Sequence, residues 1–185
     1  NTTPTPGNLM VLFAATRNSG GGPSSIGGWT AHTSGVLTCT AHHARDHMAF
    51  YRIAQPGDTS WLSGGTYTQS VFTFVEFSGA SGVLSTQAGT IVGNTNSVVC
   101  GGAVTVSAPS LIVGGCAADF TNDTETMITA PSAAVTEIAD KGGASGSPGY
   151  WSGYRVETAS ASYTVSGTAT MGSGGTTHGM AGHTF

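Results

Sequence analysis

The chain has 185 residues and a formal net charge of −4, and only 8% of its residues are charged, against about a quarter in an ordinary soluble domain. Its five basic residues, Arg17, Arg45, Arg52, Lys141 and Arg155, are too few and too scattered to track a phosphate backbone or an anionic membrane surface. No apolar run approaches the roughly 20 residues that a membrane helix needs, and 29 glycines with frequent Ser and Thr point to a β-rich chain kept soluble by hydroxyls and backbone.

Residues 1–7 (NTTPTPG) carry two prolines and no apolar period, so they read as an extended leading linker. No charged stretch followed by an apolar one opens the chain, and no signal peptide is read there. Residues 9–16 (LMVLFAAT) are apolar throughout at strand length, which predicts a central strand buried on both faces. Gly20, Gly21, Gly22 and Pro23 mark a loop over 17–28. Alternation resumes at 29–33 (WTAHT), with Trp29 as core anchor. Residues 34–47 are polar and histidine-rich and read as a strand that ends in a loop. Residues 48–54 (MAFYRIA) alternate again, and Pro56-Gly57-Asp58 supplies turn chemistry. Residues 71–77 (VFTFVEF) alternate strictly, with aromatic rings on both faces, so this strand is expected to be covered on both sides.

A glycine-punctuated connection follows over 80–93, with a short strand at 89–92. The next strand, 97–106 (SVVCGGAVTV), is interrupted at Gly101-Gly102, where a bulge or a close backbone approach is expected. Residues 111–118 (LIVGGCAA) predict a second buried strand. A half-buried strand (VTEIA) follows Pro131, residues 141–149 form a loop, and strands over 151–158, 162–166 and 178–185 close the chain. No window carries a helical period with caps, so the chain reads as all-β.

The two halves lie over one another. Asn8-Leu9-Met10-Val11 matches Ser110-Leu111-Ile112-Val113, and Trp29-Thr30 corresponds to Val135-Thr136. Phe50-Tyr51-Arg52-Ile53 matches Gly153-Tyr154-Arg155-Val156, Asp58-Thr59-Ser60-Trp61 falls near Ala161-Ser162-Tyr163-Thr164, and Phe77 falls on Phe185. Two such strand sets predict a jelly-roll-like β-sandwich with internal duplication, a single domain over 8–185. Its half-repeats are 8–79 and 97–185, joined by 80–96. Only the second half has a leading strand, at 98–106. Either the first half's counterpart lies outside this segment, or its sheet has an open edge that a neighbouring chain completes.

The order G-N-L-M-V, G-W-T, F-Y-R-I-A-x-P-G-D-T-S-W and V-x-E-F-S-G, carried here by residues 7–12, 28–30, 50–61 and 75–79, resembles a β-sandwich domain of bacteriophage virion proteins. That family includes tail-fibre, appendage and head-decoration proteins and bacterial surface proteins. Residues 111–115 and 154–156 match its second half, although G-W-T becomes Ala134-Val135-Thr136 here. The shared motifs are turn glycines and core aromatics, which specify a fold more than a function. The resemblance implies a non-enzymatic part of a virion, outside the cell, partnered by other virion proteins and by copies of itself.

Several residues invite chemistry. His42-His43-Ala44-Arg45-Asp46-His47 gathers imidazoles and a carboxylate, so His43, Asp46 and His47 are candidate metal ligands, against a solvated loop as the plainer alternative. His178 and His183 read as surface or interface residues. Asp119, Asp123 and Glu125 follow a strand, as calcium ligands of β-sandwiches do, but the spacing is not that of an EF-hand, and an acidic loop accounts for them. Asp58, Glu76 and Glu157 offer carboxylates for glycoside hydrolysis, yet Asp58 is explained by its turn and the glutamates alternate with core residues. There is no G-x-S-x-G elbow. Of the three cysteines, Cys39, Cys100 and Cys116, the last two are either a disulfide or small buried hydrophobes.

Among the aromatic residues, Tyr150 and Trp151 follow a glycine-rich loop and are the best candidates for exposed rings, either as interface anchors or as a sugar-stacking platform. No enzyme activity, cofactor, nucleic-acid partner or membrane is expected. The alternative to a virion structural part is a carbohydrate-binding module with a host-surface glycan as partner.

Overall fold

The computed structural model describes residues 3–17, 23, 25–39, 45–58, 70–80, 86–93, 97–107, 109–119, 128–131, 135–141, 149–170 and 178–185. Within them the chain is all-β. A first antiparallel sheet holds β1 (Leu9–Arg17), β2 (Thr30–Ala31), β3 (Leu37–Cys39), β4 (Arg45–Ile53) and β5 (Ser70–Phe77), ordered β2-β4-β1-β5 with β3 also on β4. A second holds β6 (Gln87–Gly93), β9 (Ser110–Asp119), β11 (Thr136–Lys141), β12 (Gly149–Glu157) and β15 (His178–Thr184), ordered β11-β12-β9-β15-β6. The remaining strands are β7 (Ser97–Val99), β8 (Val104–Val106), β10 (Ile128–Pro131), β13 (Ala161–Tyr163) and β14 (Ser166–Thr170). They form two small sheets, β10-β14-β7 and β13-β8.

The main sheets face each other as a sandwich. The apolar run of β1 makes this possible, because successive side chains leave a strand on opposite faces. Leu9, Val11, Phe13 and Ala15 meet Val113, Ala117, Tyr150 and Phe185 of the second sheet. Leu12 and Ala14 point the other way, into an outer cluster with Ile26, Met48 and Phe50. Strand β5 divides as its alternation requires: Val71 and Phe77 join the inner core, and Phe72 and Phe74 the outer cluster. Trp29 is half-buried and packs on that outer cluster. On the outer face of the second sheet, Cys100, Val104, Ile112, Cys116, Trp151 and Val165 form a third cluster under the small sheets.

The duplication is visible in the registers. Val11 pairs with Tyr51 as Val113 pairs with Tyr154, and Thr30 and Thr136 lie opposite those same tyrosines. One equivalence shifts. Val75 lies opposite Val11, whereas Phe185 exchanges two backbone bonds with Val113, so Phe185 stands in the place of Val75 and not of Phe77. A two-residue slip preserves which face a side chain occupies, so alternation alone did not reveal it. Trp61, matched to the 161–164 segment, lies outside the described residues.

Other expectations are sharpened. The 97–106 strand is two strands, β7 and β8, broken at Cys100 and a left-handed Gly101 with φ of 79°. The close approach is real: a Cβ on Gly182 would lie 2.9 Å from the Cys100 Cα. The 89–92 strand is present within the longer β6. The leading residues are fastened to the fold, since Pro4 is buried, Gly7 N–H donates to Ala54 O at 2.9 Å, and Thr5 N–H donates to Glu76 at 2.8 Å. The loop expected at the end of 34–47 is instead the start of β4, whose Asp46 and His47 are fully buried.

Gly115 sets the spacing of the two sheets. A Cβ there would fall 2.6–2.9 Å from three atoms of the buried Phe13 ring. Gly115→Ala is therefore expected to lower unfolding free energy by about 1–3 kcal/mol through overpacking, measured by denaturant unfolding. Gly27→Ala, with open space around its Cβ, should change it by less than about 0.5 kcal/mol.

Candidate functional site

Strand β4 fixes the geometry of the histidine-rich segment. Asp46 shares a face with Met48 and Phe50 of the outer cluster, and His47 shares the opposite face with Ala49 of the inner core. Asp46 accepts a hydrogen bond from Thr38 Oγ1 at 2.6 Å on the neighbouring strand. His47 points between the sheets, stacked near Phe13 and Tyr150 at centroid distances of 6.0 and 6.3 Å. Asp46 and His47 therefore cannot share an ion, and His43 lies outside the described residues. No group of three or more His, Cys, Asp or Glu able to hold a metal ion occurs among the described residues.

His47 instead meets two histidines from elsewhere in the chain. His183, expected at the surface or an interface, is fully buried on β15 with Nδ1 2.7 Å from His47 Nδ1, and its Nε2 lies 2.9 Å from Gly35 O. A carbonyl only accepts, so His183 carries its proton on Nε2. Its Nδ1 then accepts, and His47 donates from Nδ1. His47 Nε2 is left a buried lone pair without a hydrogen-bond partner among the described residues.

The third ring, His32, follows β2. Its centroid is 4.6 Å from that of His183, its Nδ1 accepts from Ser34 N–H at 3.1 Å, and its Nε2 lies 3.3 Å from Thr184 O. Burial, then the neighbouring His183 and His32, hold the His47 pKa well below the usual histidine range. Burial and His32 lower His183 to about 3, against an opposing contribution from Gly35 O. The His183–Gly35 and His32–Thr184 contacts tie the 32–35 turn to β15, and burial favours neutral imidazoles at His47 and His183. His32 and His183 were legible only as members of short alternating segments, because their meeting is a tertiary event.

Tyr150 and Trp151, expected as exposed rings, are buried at 1% and 0% exposure and belong to two different cores. They begin β12, a central strand covered on both faces, so consecutive rings point inward on both sides. Trp151 Nε1 donates to Glu137 at 3.0 Å. Burial pushes the Tyr150 phenol up, partly offset by the Ser152 and Thr73 hydroxyls.

The carboxylates are also placed. Asp58 accepts from Gln55 N–H at 2.7 Å within its turn and pairs with Arg52, and both hold its pKa down. Glu76 accepts from Thr5 N–H and, at 2.7 Å, from Asn8 Nδ2, which lower its pKa. Glu157 pairs with Arg155. The side chain of Asp119 is not described, and Asp123 and Glu125 lie outside the described residues.

Between β5 and the β12–β11 side of the second sheet lies a cleft of about 940 Å³, walled by Val75, Phe77, Leu111, Ile138, Tyr154 and Val156. Glu76 and Glu137 border it. Their alternation turns Glu76 to the outer face of the first sheet, with Phe72 and Phe74, and Glu137 to the outer face of the second, on Trp151. The two carboxylates thus do not converge on a substrate. Val156, 61% exposed, stands at the cleft and is one of two exposed large hydrophobic side chains among the described residues.

No protein-family model, curated protein or solved structure matches this chain. The family resemblance therefore rests on the motifs quoted above.

The buried His47 and His183 set a pH dependence. Their folded pKa values lie below the unfolded value, about 6.5, so the unfolded chain binds protons that the folded one refuses. Stability is full above pH 6.5 and is lost as pH falls toward 3, at up to about 1.4 kcal/mol per pH unit per histidine. Urea unfolding at pH 7.5, 6 and 5, above the carboxylate range, should show this decline, and His183→Gln should flatten it.

Proposed function

We propose that this chain is a non-enzymatic structural part of a phage-like virion, a capsid-decoration or tail-fibre and appendage component that acts by packing against its neighbours. The observation that carries this reading is how the fold uses its few charges. Asp46, Asp58, Glu76, Glu137 and Glu157 each bond to a named group of the frame. The cleft is walled by apolar side chains with Val156 standing open. Such a surface suits contact with another protein better than bond-breaking chemistry, which needs polar groups converging on one point. The resemblance of the motifs to virion β-sandwiches supports the same reading.

A carbohydrate-binding module is less well supported. Its nominated rings, Tyr150 and Trp151, are buried. The half-buried rings of the cleft, Phe77 and Tyr154, meet edge-on at 64° and 5.6 Å, so they do not offer one flat stacking platform.

Electron microscopy of the native assembly tests the proposal. The expected result is an ordered array in which Val156 and the cleft lie at a contact between chains. A free monomer in the native source would overturn it, and saturable binding on a glycan array would favour the carbohydrate reading. Val156→Lys is expected to leave the unfolding midpoint nearly unchanged, because the side chain is already exposed, while weakening assembly about tenfold or more by sedimentation. A tenfold loss corresponds to about 1.4 kcal/mol, less than full burial of a valine is worth.

A further inference from the structure

Two cysteines on separate segments, Cys100 and Cys116, meet on the outer face of the second sheet. Cys116 lies on β9 directly opposite Gly182 of β15. Cys100, in the break between β7 and β8, rests on the same glycine. One point, the Cβ that Gly182 lacks, is 2.9 Å from both the Cys100 Cα and the Cys116 Cβ. The two side chains are fully buried in one cluster. Cys100 is also fixed through its backbone, since its N–H donates to Val165 O at 2.9 Å and its carbonyl accepts from Thr184 Oγ1. This proximity suits a disulfide, whose Cα atoms are usually about 4.4–6.8 Å apart.

We propose that Cys100 and Cys116, present here as free thiols, are a latent disulfide that closes when the chain folds in the presence of a small-molecule disulfide such as oxidised glutathione. One cysteine thiolate attacks a glutathione sulfur, breaks its S–S bond and releases one glutathione thiolate. The second cysteine attacks the protein sulfur of the mixed disulfide and releases the other. Two electrons pass from the cysteines to glutathione disulfide, and the two thiol protons leave on the two reduced glutathiones.

The bond would clip the β7–β8 layer to the centre of the second sheet, the layer for which the first half has no counterpart among the described residues. Closure belongs to folding. In the folded chain both sulfurs are shielded from solvent, and burial pushes the Cys100 thiol up, away from the reactive thiolate.

The test uses the full chain with Cys39→Ser, refolded from denaturant with either a glutathione redox pair or a reductant. Peptide mapping should find a Cys100–Cys116 cross-link only after oxidative refolding. The oxidised form should melt roughly 5–10 °C above the reduced form, and the difference should vanish in Cys116→Ser. The folded, reduced chain should remain uncrosslinked when oxidised glutathione is added later. If both thiols can still be alkylated after oxidative refolding and denaturation, the latent disulfide is overturned. Rapid cross-linking of the already folded chain would overturn closure during folding.

Discussion

The sandwich depends on one ring meeting one missing side chain. Phe13 and Gly115 occupy the same position in the two halves, since Phe13 lies opposite Thr73 and Gly115 opposite His183, the residue in Thr73's place. Across the interface the Phe13 ring fills the space that a Gly115 side chain would need. Two large residues here would hold the sheets apart, and two glycines would leave a void, so the duplicated frame closes only because its copies have become complementary. Close packing makes such a choice strict, because interiors tolerate neither overlap nor emptiness.

The same complementarity extends outward from that contact. His47 and Tyr150 are counterparts on β4 and β12, lying opposite Ala15 and Ala117, and their rings stack in the middle of the sandwich. His47 reaches His183 on β15, while Tyr150 has Thr73 as a polar neighbour on β5. Each of these neighbour pairs takes one residue from each half at equivalent inner positions, with different chemistry. The arginines repeat a motif as well. Arg52 pairs with Asp58 and lies over Trp29, and Arg155 pairs with Glu157 and lies over Tyr163, 4.1 Å from the ring centroid. A guanidinium held between a carboxylate and a ring keeps its charge satisfied at the end of a strand.

Among the described residues, Asp46, Asp58, Glu76, Glu137, Glu157, Arg52 and Arg155 are all taken up by such contacts. In a chain with 8% charged residues, these described carboxylates serve a turn, strand ends and an indole partner. Asp46 and His47, which look like joint ligands on paper, are separated by strand alternation. Neighbouring residues on a strand point to opposite faces, so closeness in sequence separates them in space.

The β class, the central strands, the glycine break at 101–102 and the internal duplication were all legible in the sequence, because each leaves a local trace in alternation, turn residues or repeated motifs. The role of Asp58 was legible for the same reason, since its partners lie within a few residues. Other features depended on which strand faces which. His183 reads as a surface or interface residue until β15 is placed against β4, and Tyr150-Trp151 reads as an exposed pair until β12 is seen to be covered on both sides. The match of Phe185 to Val75 and not Phe77 is a two-residue slip that a period-two pattern cannot register. Alternation tells a side chain which face to take, and only the packing of the sheets decides whether that face meets water, a ring or another histidine.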